Sequence, residues 1–376
     1  MKLLILPMPE KFNILVSGGG TGGHIFPAIA IANALQRRLI DVNILFVGAK
    51  GKMEMEKVPE AGYPIEGLWI SGLQRKADLK NLSFPFKVVS SLATAGKIVK
   101  KFKADAAIGT GGYASGPLLY MASRKKVPTL ILEQNSYPGI TNKMLGKTVN
   151  KVCVAYDGME KYFPRDKITV TGSPVRKEII DMKVTTAEAL EFFHLKPGKP
   201  VLLIMGGSQG ARRINEVVAE KLDDLLASGM QIIWQTGKLT FGMAEDVVEK
   251  SKYKDQVKVH QFIRRMDMAY VASDLIISRA GAIAIAEIIS VKKPAIFVPL
   301  PSAAEDHQTK NAMTLVKGKA ALMIKETEAD KKLVETAIGL MKNKSDRLVM
   351  VQNLKRFEHP DATEKIVDEI MKMIQT

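Results

Sequence analysis

The sequence predicts an α/β protein with two similar domains, each built on a parallel sheet. At residues 14–35 a β-forming run, a glycine-rich turn and a helix-forming run follow one another. The same order returns at 201–212, half the chain length further on. A chain of 376 residues is also too long for one ordinary hydrophobic core. We therefore expect two strand–turn–helix domains that face each other across a cleft.

The first glycine-rich turn predicts an anion site with a proton acceptor beside it. Five of the six residues at 18–23 are glycine, which lets the backbone approach a ligand closely. The first amides of the following helix carry the positive end of its dipole toward that ligand. His24, at this helix end, can take up a proton near neutral pH. A sharp turn without a ligand is the alternative, although one or two glycines would be enough for it.

The same glycines do not make a convincing dinucleotide site. Gly18, Gly20 and Gly23 satisfy the spacing G-x-G-x-x-G. A dinucleotide fold also needs an acidic residue after the second strand, to bind the ribose. The second predicted strand, 42–47, is followed by glycine, alanine and Lys50. NAD is therefore disfavoured, and Lys50 leaves NADP formally open.

Composition excludes several classes of protein. The chain has 46% hydrophobic and 25% charged residues, as globular proteins do. The single cysteine, Cys153, excludes an internal disulfide and fits a reducing compartment. The apolar run at 3–6 is too short for a signal peptide, and no run of about 18 apolar residues could span a membrane. The net charge of +16 favours nucleic acid, anionic lipid or phosphorylated substrates as partners.

Much of the positive charge lies in residues 64–130, among apolar side chains. This segment is either a solvated loop and helix face or a surface that rests on an anionic bilayer. Each Lys or Arg near such a bilayer contributes about 1 kcal/mol. Nucleic acid is disfavoured, because no recognition motif accompanies the charge and aromatic residues are few. The candidate membrane residues are Leu73, Arg75, Lys76, Leu79, Lys80, Leu82, Phe84, Phe86 and Lys87.

Several polar residues follow predicted strands of the first half. A second glycine-rich turn, 109–117, follows the strand at 106–108 and contains Tyr113. The strand at 129–132 is followed by Glu133 and then Asn135. Ligands of doubly wound sheets lie beyond the carboxyl ends of the strands. We therefore expect His24, Tyr113, Glu133 and Asn135 in one cleft, although each could instead be a structural polar group.

The second half contains residues suited to a nucleotide diphosphate. Glu287 lies in a mostly apolar helix after Gly281 and could accept two ribose hydroxyls, or be an ordinary exposed charge. No Asp-x-Asp triplet is present to hold a metal on a diphosphate. A leaving diphosphate would then be neutralised by helix N-termini and a cation such as Arg176. A P-loop motif is also absent.

Taken together, these motifs resemble the MurG family, glycosyltransferases that add N-acetylglucosamine to the lipid-linked precursor of bacterial peptidoglycan. The resemblance runs over most of the chain and is highly specific, because many motifs occur in the same order. They lie at 19–24, 111–113, 116–117, 133–135, 141–143, 174–176, 206–211, 278–282 and 308–311.

The resemblance implies the GT-B fold, with two Rossmann-like domains and a final helix that crosses back onto the first. The first domain would comprise 1–176 and 355–376 and bind the acceptor, and the second, 177–354, would bind the donor. The implied reaction is an inverting transfer of N-acetylglucosamine from UDP-N-acetylglucosamine (UDP-GlcNAc). The acceptor is the C4 hydroxyl of the N-acetylmuramic acid in undecaprenyl-diphospho-muramoyl pentapeptide (lipid I), and the product is lipid II. No cofactor or catalytic metal is implied.

Donor-binding residues carry over by motif. Ile263 would meet the uracil through its backbone, and Glu287 would bind the ribose. Ser208 and Arg176 would bind the diphosphate. Gln308 and Asn311 would bind the sugar. Further donor contacts would come from Ala282, Ile283, Ala284, Thr21, Gly22, Gly23 and Asn135.

Acceptor-binding residues are implied at the two glycine turns of the first domain. The acceptor diphosphate would lie near residues 21–23 and 111–113, with Gly20, Gly111, Gly112 and Tyr113 as contacts. His24 would remove the proton of the acceptor hydroxyl, with Glu133 as the second candidate. Asn135 would orient the substrate.

The resemblance also implies a location on the cytoplasmic face of the inner membrane, bound peripherally through the basic, apolar segment. Other proteins of cell-wall synthesis would then be further partners, and cell shape and division would depend on the activity. The chain departs from the family where Ala284 and Ala286 replace the usual hydroxyl residues, so only backbone contacts are expected there. His307 stands where some members carry glutamine.

Two other functions fit parts of the sequence. A UDP-N-acetylglucosamine 2-epimerase has a similar architecture and acts on the nucleotide sugar alone, but it has no use for a basic, apolar segment. A basic scaffold that binds membranes or nucleic acid would need no histidine at position 24.

Overall fold

The structure is a computed structural model that describes residues 11–72, 83–206 and 211–375. It divides into two compact units. Unit 1 is Met1–Pro174 with Asp361–Thr376, and unit 2 is Val175–Pro360. The expected division, at 176 and 354, lies a few residues away from each of these boundaries. Arg176 consequently belongs to unit 2.

Unit 1 is a seven-stranded parallel sheet in the order β3-β2-β1-β4-β5-β6-β7, with helices packed on it. Buried aliphatic runs such as Ile14, Leu15 and Val16 account for its strands. The strands are β1 (Phe12–Gly18), β2 (Val42–Ala49), β3 (Ile65–Leu68), β4 (Ala106–Gly111), β5 (Thr129–Glu133), β6 (Lys151–Val154) and β7 (Ile168–Val170). The helices are α1 (Gly22–Arg38), α2 (Glu54–Glu60), α3 (Phe84–Phe102), α4 (Ser115–Arg124) and α5 (Ile140–Leu145).

The last helix of the chain, α16 (Ala362–Ile374), belongs to unit 1. Its apolar face, with Ile366 and Ile370, is buried in the same core as Leu35 of α1. On the outer side Arg38 of α1 donates a hydrogen bond of 2.5 Å to Asp368. The chain therefore completes the core of its first unit with its final residues.

Unit 2 is a six-stranded parallel sheet in the order β10-β9-β8-β11-β12-β13. The strands are β8 (Val201–Met205), β9 (Gln231–Gln235), β10 (Val257–His260), β11 (Leu275–Ser278), β12 (Ala295–Phe297) and β13 (Leu322–Met323). The helices are α6 (Lys177–Ile180), α7 (Thr186–Phe192), α8 (Arg212–Glu220), α9 (Leu222–Ala227), α10 (Phe241–Lys250), α11 (Met266–Ala272), α12 (Ala282–Val291), α13 (His307–Lys317), α14 (Ala329–Lys342) and α15 (Lys344–Leu354). The prediction of two parallel-sheet, Rossmann-like domains is confirmed.

No helix within the described ranges combines the length and hydrophobicity that a membrane crossing needs.

Candidate active site

The two glycine-rich turns of unit 1 pack directly against each other. They follow the neighbouring strands β1 and β4, and the Gly19 amide donates to the Gly111 carbonyl over 3.2 Å. A Cβ at Gly112 would lie 2.4 Å from the Gly19 carbonyl oxygen, and one at Gly18 would lie 2.5 Å from that of His24. Gly111 and Gly112 also have φ of +112° and +95°, which side chains disfavour. Packing between the turns therefore explains part of the glycine content.

His24 is the third residue of α1. Thr110 forms one hydrogen bond with its ring and another with its backbone. Its Nδ1 lies 2.8 Å from the Thr110 carbonyl oxygen, and the Thr110 hydroxyl donates to the His24 carbonyl over 2.7 Å. Because a carbonyl only accepts, Nδ1 carries the proton and Nε2 carries the lone pair of the neutral ring. A Cβ at Gly111 would lie 2.4 Å from Nδ1, so the ring position requires glycine there.

Thr110 and Gln134 support this histidine, and neither was predicted from the sequence. Gln134 is buried, and its Nε2 donates to the same Thr110 carbonyl over 3.3 Å. The Ser173 hydroxyl in turn donates to Gln134 Oε1 over 3.3 Å. A polar residue at the carboxyl end of a strand is too common a feature to have revealed these roles.

Glu54, which was also not predicted, fixes the first glycine-rich turn through its carboxylate. Its carboxylate accepts the Gly20 amide over 2.8 Å and the Ala49 amide over 3.0 Å. Only 1% of Glu54 is exposed, and a Cβ at Gly19 would lie 2.2 Å from its Oε1. The i, i+4 spacing from Glu54 to the buried Val58 placed both on the inner face of α2, which was the available signal.

Glu133 is buried, and its two oxygens accept four hydrogen bonds. Oε1 accepts from the backbone amide and the Nδ2 of Asn135, over 2.9 and 3.0 Å. Oε2 accepts from the Gly139 amide over 3.1 Å and from Asn142 Nδ2 over 2.9 Å. Glu133 therefore orders the loop after β5, which includes the predicted site residue Asn135.

The other predicted residues of unit 1 lie at the same end of its sheet. Thr21 precedes α1 in an extended conformation, and Gly22 and Gly23 are the first two residues of the helix. Within the described part of the chain no side chain caps this helix start. The Tyr113 ring is 46% exposed and lies 4.0 Å from the Cβ position of Gly20. The structure therefore brings together Gly20, Thr21, Gly22, Gly23, His24, Gly111, Gly112 and Tyr113.

In unit 2, Glu287 is a buried partner of two side chains. Its Oε1 accepts from Arg176 Nε over 2.7 Å, and its Oε2 accepts from the buried Tyr270 hydroxyl over 2.8 Å. Burial alone would lower the pKa of Arg176, but the hydrogen bond and charge of Glu287 reverse this and raise it. Burial, followed by the charge of Glu287, raises the pKa of Tyr270 well above its usual value. The alternative that Glu287 is an exposed charge is therefore wrong, and Tyr270 was missed.

Further residues predicted for the nucleotide site lie at the carboxyl ends of the strands of unit 2. Ile263 follows β10 and is buried, and its amide donates to Gln235 Oε1 over 2.9 Å. Ala282, Ile283 and Ala284 form the first turn of α12. Its N-cap, Gly281, has φ of −69°, and a Cβ there would meet no atom of the described chain within 4 Å. Neither backbone conformation nor internal crowding therefore requires glycine at 281.

Gln308 and Asn311 lie one turn apart on α13. Gln308 Oε1 accepts the Leu300 amide over 2.9 Å, and Asn311 is fully buried, with Nδ2 3.5 Å from the Ala280 carbonyl oxygen. His307 begins the helix, and its Nδ1 lies 2.5 Å from the Ala304 carbonyl oxygen. Ser208 lies outside the described residues.

The predicted membrane segment is described only in part. Phe86 at the start of α3 is 71% exposed, whereas Phe84 and Lys87 are half-buried. Lys87 Nζ donates to the Ser71 hydroxyl over 3.0 Å and lies 5.9 Å from the centre of the Trp69 ring. Trp69 and Val89, which were not predicted from the sequence, are also exposed. Outside the described residues lie Leu73, Arg75, Lys76, Leu79, Lys80 and Leu82.

Across residues 11–72, 83–206 and 211–375, no group of three or more His, Cys, Asp or Glu side chains is placed to hold a metal ion.

Comparison with known proteins places both units in one family. The model of the glycosyltransferase family 28 N-terminal domain matches residues 14–154, and that of the C-terminal domain matches 201–366. A crystal structure of MurG from Acinetobacter baumannii superimposes with a TM-score of 0.79 at 30% identity, over 96% of this chain and 99% of that one.

Two curated relatives are similar over nearly their whole length. Both are named UDP-N-acetylglucosamine--N-acetylmuramyl-(pentapeptide) pyrophosphoryl-undecaprenol N-acetylglucosamine transferase. The protein from Cytophaga hutchinsonii is 52% identical over 99% of both chains. The protein from Flavobacterium psychrophilum is 50% identical over 98% of this chain and 99% of its own. The chain therefore belongs to glycosyltransferase family 28 and, within it, to the MurG family of GT-B enzymes.

Proposed function

We propose that this protein transfers N-acetylglucosamine from UDP-GlcNAc to the muramoyl C4 hydroxyl of lipid I, which yields lipid II for peptidoglycan synthesis. The observation that carries the proposal is the 52% identity, over 99% of both chains, to a transferase named for this reaction. The acceptor oxygen attacks the anomeric carbon as the bond to the UDP oxygen breaks. Because attack and departure occur on opposite faces, the configuration inverts. The proposed reaction uses no cofactor or metal.

His24 is the proposed general base. The Thr110 carbonyl fixes the proton on Nδ1, which leaves Nε2 to receive the proton of the acceptor hydroxyl. Glu133 is less suited to this step, since its oxygens already accept four hydrogen bonds. The amides of Gly22 and Gly23, at the start of α1, support binding of a diphosphate there.

Unit 2 is the proposed donor site. The start of α12 and the Arg176 guanidinium supply positive charge for the UDP diphosphate, to which the Ser208 hydroxyl donates a hydrogen bond. The unexplained glycine at 281 supports a close approach of the ligand to this turn. Glu287 is buried beside Arg176, where its carboxylate can accept ribose hydroxyls. Since Gln235 holds the Ile263 amide, the Ile263 carbonyl is the backbone group for the uracil imide.

The protein is proposed to act at the cytoplasmic face of the inner membrane without spanning it. Exposed Trp69 and Phe86, with Lys87 of α3 near the Trp69 ring, support contact with an anionic lipid surface. Lipid I presents its diphosphate at such a surface. Other proteins of cell-wall synthesis are proposed as further partners.

A transfer assay tests the function and the base together. Labelled UDP-GlcNAc and a short-chain lipid I analogue should give labelled disaccharide with the wild type, and His24→Ala should lower kcat by about 100-fold or more. UDP binding by His24→Ala should stay at the wild-type level, and the exposed His194→Ala serves as the matched control.

Two outcomes would contradict the proposal. Rapid interconversion of UDP-GlcNAc with its 2-epimer in the absence of acceptor would identify an epimerase instead. Full transfer activity in His24→Ala would remove the histidine from the mechanism.

A further inference from the structure

Gln308 accepts the single backbone amide of the Pro-Leu-Pro stretch that follows β12. The chain there reads Val298, Pro299, Leu300, Pro301. Prolines have no N–H, so Leu300 supplies the only amide of residues 299–301. That amide donates to Gln308 Oε1 over 2.9 Å.

This contact fixes which end of the Gln308 amide faces the ligand. An N–H can be accepted only by the oxygen of the side-chain amide, so Oε1 is turned to Leu300. The Nε2 group, which can only donate, is then the end available to a sugar hydroxyl or acetamido oxygen. A shift of the loop would turn or release this donor.

Arg279 also binds this loop, through two of its backbone carbonyls. Its Nη1 donates to the Val298 carbonyl over 3.0 Å and to the Pro299 carbonyl over 3.2 Å. Its Nη2 is ion-paired with Glu326, which follows β13. Only 11% of the Arg279 side chain is exposed. The guanidinium is therefore engaged within the protein and is poorly placed to serve as a phosphate-binding cation.

We infer that Arg279, supported by Glu326, is a positioning residue for sugar recognition. It holds the Val298 and Pro299 carbonyls, so that the Leu300 amide presents Gln308 to the sugar of the donor. The inference rests on the proposed function, because Gln308 is assigned to the sugar there. It also gives a role to the arginine of the Ser278–Ala282 stretch, which the donor site does not otherwise use.

A comparison of UDP-GlcNAc with UDP distinguishes this role from a general destabilisation of unit 2. In the full chain, Arg279→Lys keeps the charge but cannot reach two carbonyls and a carboxylate together. We expect the KM for UDP-GlcNAc to rise by about tenfold, the scale of one hydrogen bond between neutral groups. Competitive inhibition by UDP should change by less than about threefold, because UDP lacks the sugar. Glu326→Gln should give a smaller change of the same kind.

A double-mutant cycle tests whether Arg279 acts through Gln308. In a Gln308→Ala background, Arg279→Lys should have no further effect on the KM for UDP-GlcNAc. The matched control is Arg347→Lys, because Arg347 also donates to two backbone carbonyls of unit 2, those of Leu340 and Met341. It should leave the KM for UDP-GlcNAc and the inhibition by UDP unchanged.

Three results overturn the inference while the wild type still transfers sugar. They are an unchanged donor KM in both Arg279→Lys and Glu326→Gln, equal losses for UDP-GlcNAc and UDP, and additive effects of Arg279→Lys and Gln308→Ala. A wild type that neither transfers sugar nor binds UDP would instead overturn the proposed function.

Discussion

Hydrogen-bond direction assigns different tasks to the two candidate bases. His24 donates through Nδ1 to a carbonyl, which leaves Nε2 with its lone pair. Glu133 accepts from four N–H groups of its own loop, so it is already used as an acceptor. The same reasoning makes Glu54 a structural residue, since it accepts the amides of Gly20 and Ala49.

At the residue scale we predict that Glu133→Gln destabilises unit 1. The new NH₂ group would face a buried N–H donor, and a buried donor left without an acceptor costs about 1–3 kcal/mol. Urea unfolding should show this loss, whereas Glu160→Gln, at an exposed acid of the same unit, should not. If Glu133→Gln kept full stability, lost transfer, and lost the acid limb of the pH–rate profile, Glu133 would be the base.

The sequence predicted those site residues whose role follows from local geometry. The five glycines before α1 predicted a turn with exposed amides and His24 beside it. The supporting residues could not be predicted, because their partners are distant in sequence: Glu54 binds Gly20, and Thr110 binds His24. Tyr270 was missed for the same reason, since it lies 17 residues before Glu287 and on a different helix.

Among the strands, β10 ends in a histidine whose surroundings disfavour its charged form. The His260 ring packs edge-on against Phe193, with 5.5 Å between ring centres. Its Nε2 is buried and, among the described residues, has no hydrogen-bond partner. Burial, and to a lesser degree the nearby Lys258, lowers the pKa of His260 below its usual 6.5. The strand is therefore most stable with a neutral ring.

At the element scale we predict an acid-dependent loss of stability that depends on His260. As pH falls below about 6.5, the unfolded chain binds this proton before the folded one does. The free energy of unfolding therefore falls from about pH 6.5 until the lower folded pKa is passed. Thermal unfolding from pH 7.5 to 5.5 should show a smaller loss in His260→Gln than in the wild type. The control His194→Gln, at an exposed ring, should keep the wild-type loss, and equal losses in all three proteins would refute the prediction.

At the largest scale, the exposed positive charge of unit 1 is unevenly distributed along α3. The exposed side of α3 changes from apolar Phe86 and Val89 near its start to Lys97, Lys100 and Lys101 near its end. These three lysines form no ion pair with any residue that the structure describes. A helix of 19 residues is about 28 Å long, so charge and apolar surface lie along one extended stripe.

At the scale of the whole molecule we predict that attachment to anionic vesicles depends on the segment before α3 and on the first turn of that helix. Reversing Lys80 and Lys87 to Glu should weaken binding to phosphatidylglycerol vesicles by at least about tenfold, since each cation contributes about 1 kcal/mol. Binding of UDP should not change. Lys342→Glu with Lys344→Glu removes the same charge from exposed positions of unit 2 and should leave vesicle binding largely intact. Equal vesicle binding by all three proteins would exclude this docking surface.

The return of α16 to unit 1 sets an order of events during synthesis. Ile366 and Ile370 are needed to close the core around Leu35, but they are synthesised after Leu35 and the strands of this core. All of unit 2, Val175–Pro360, is made before them. Unit 2 can therefore fold while unit 1 still exposes an uncovered apolar groove, and a chain truncated before residue 361 would keep that groove open.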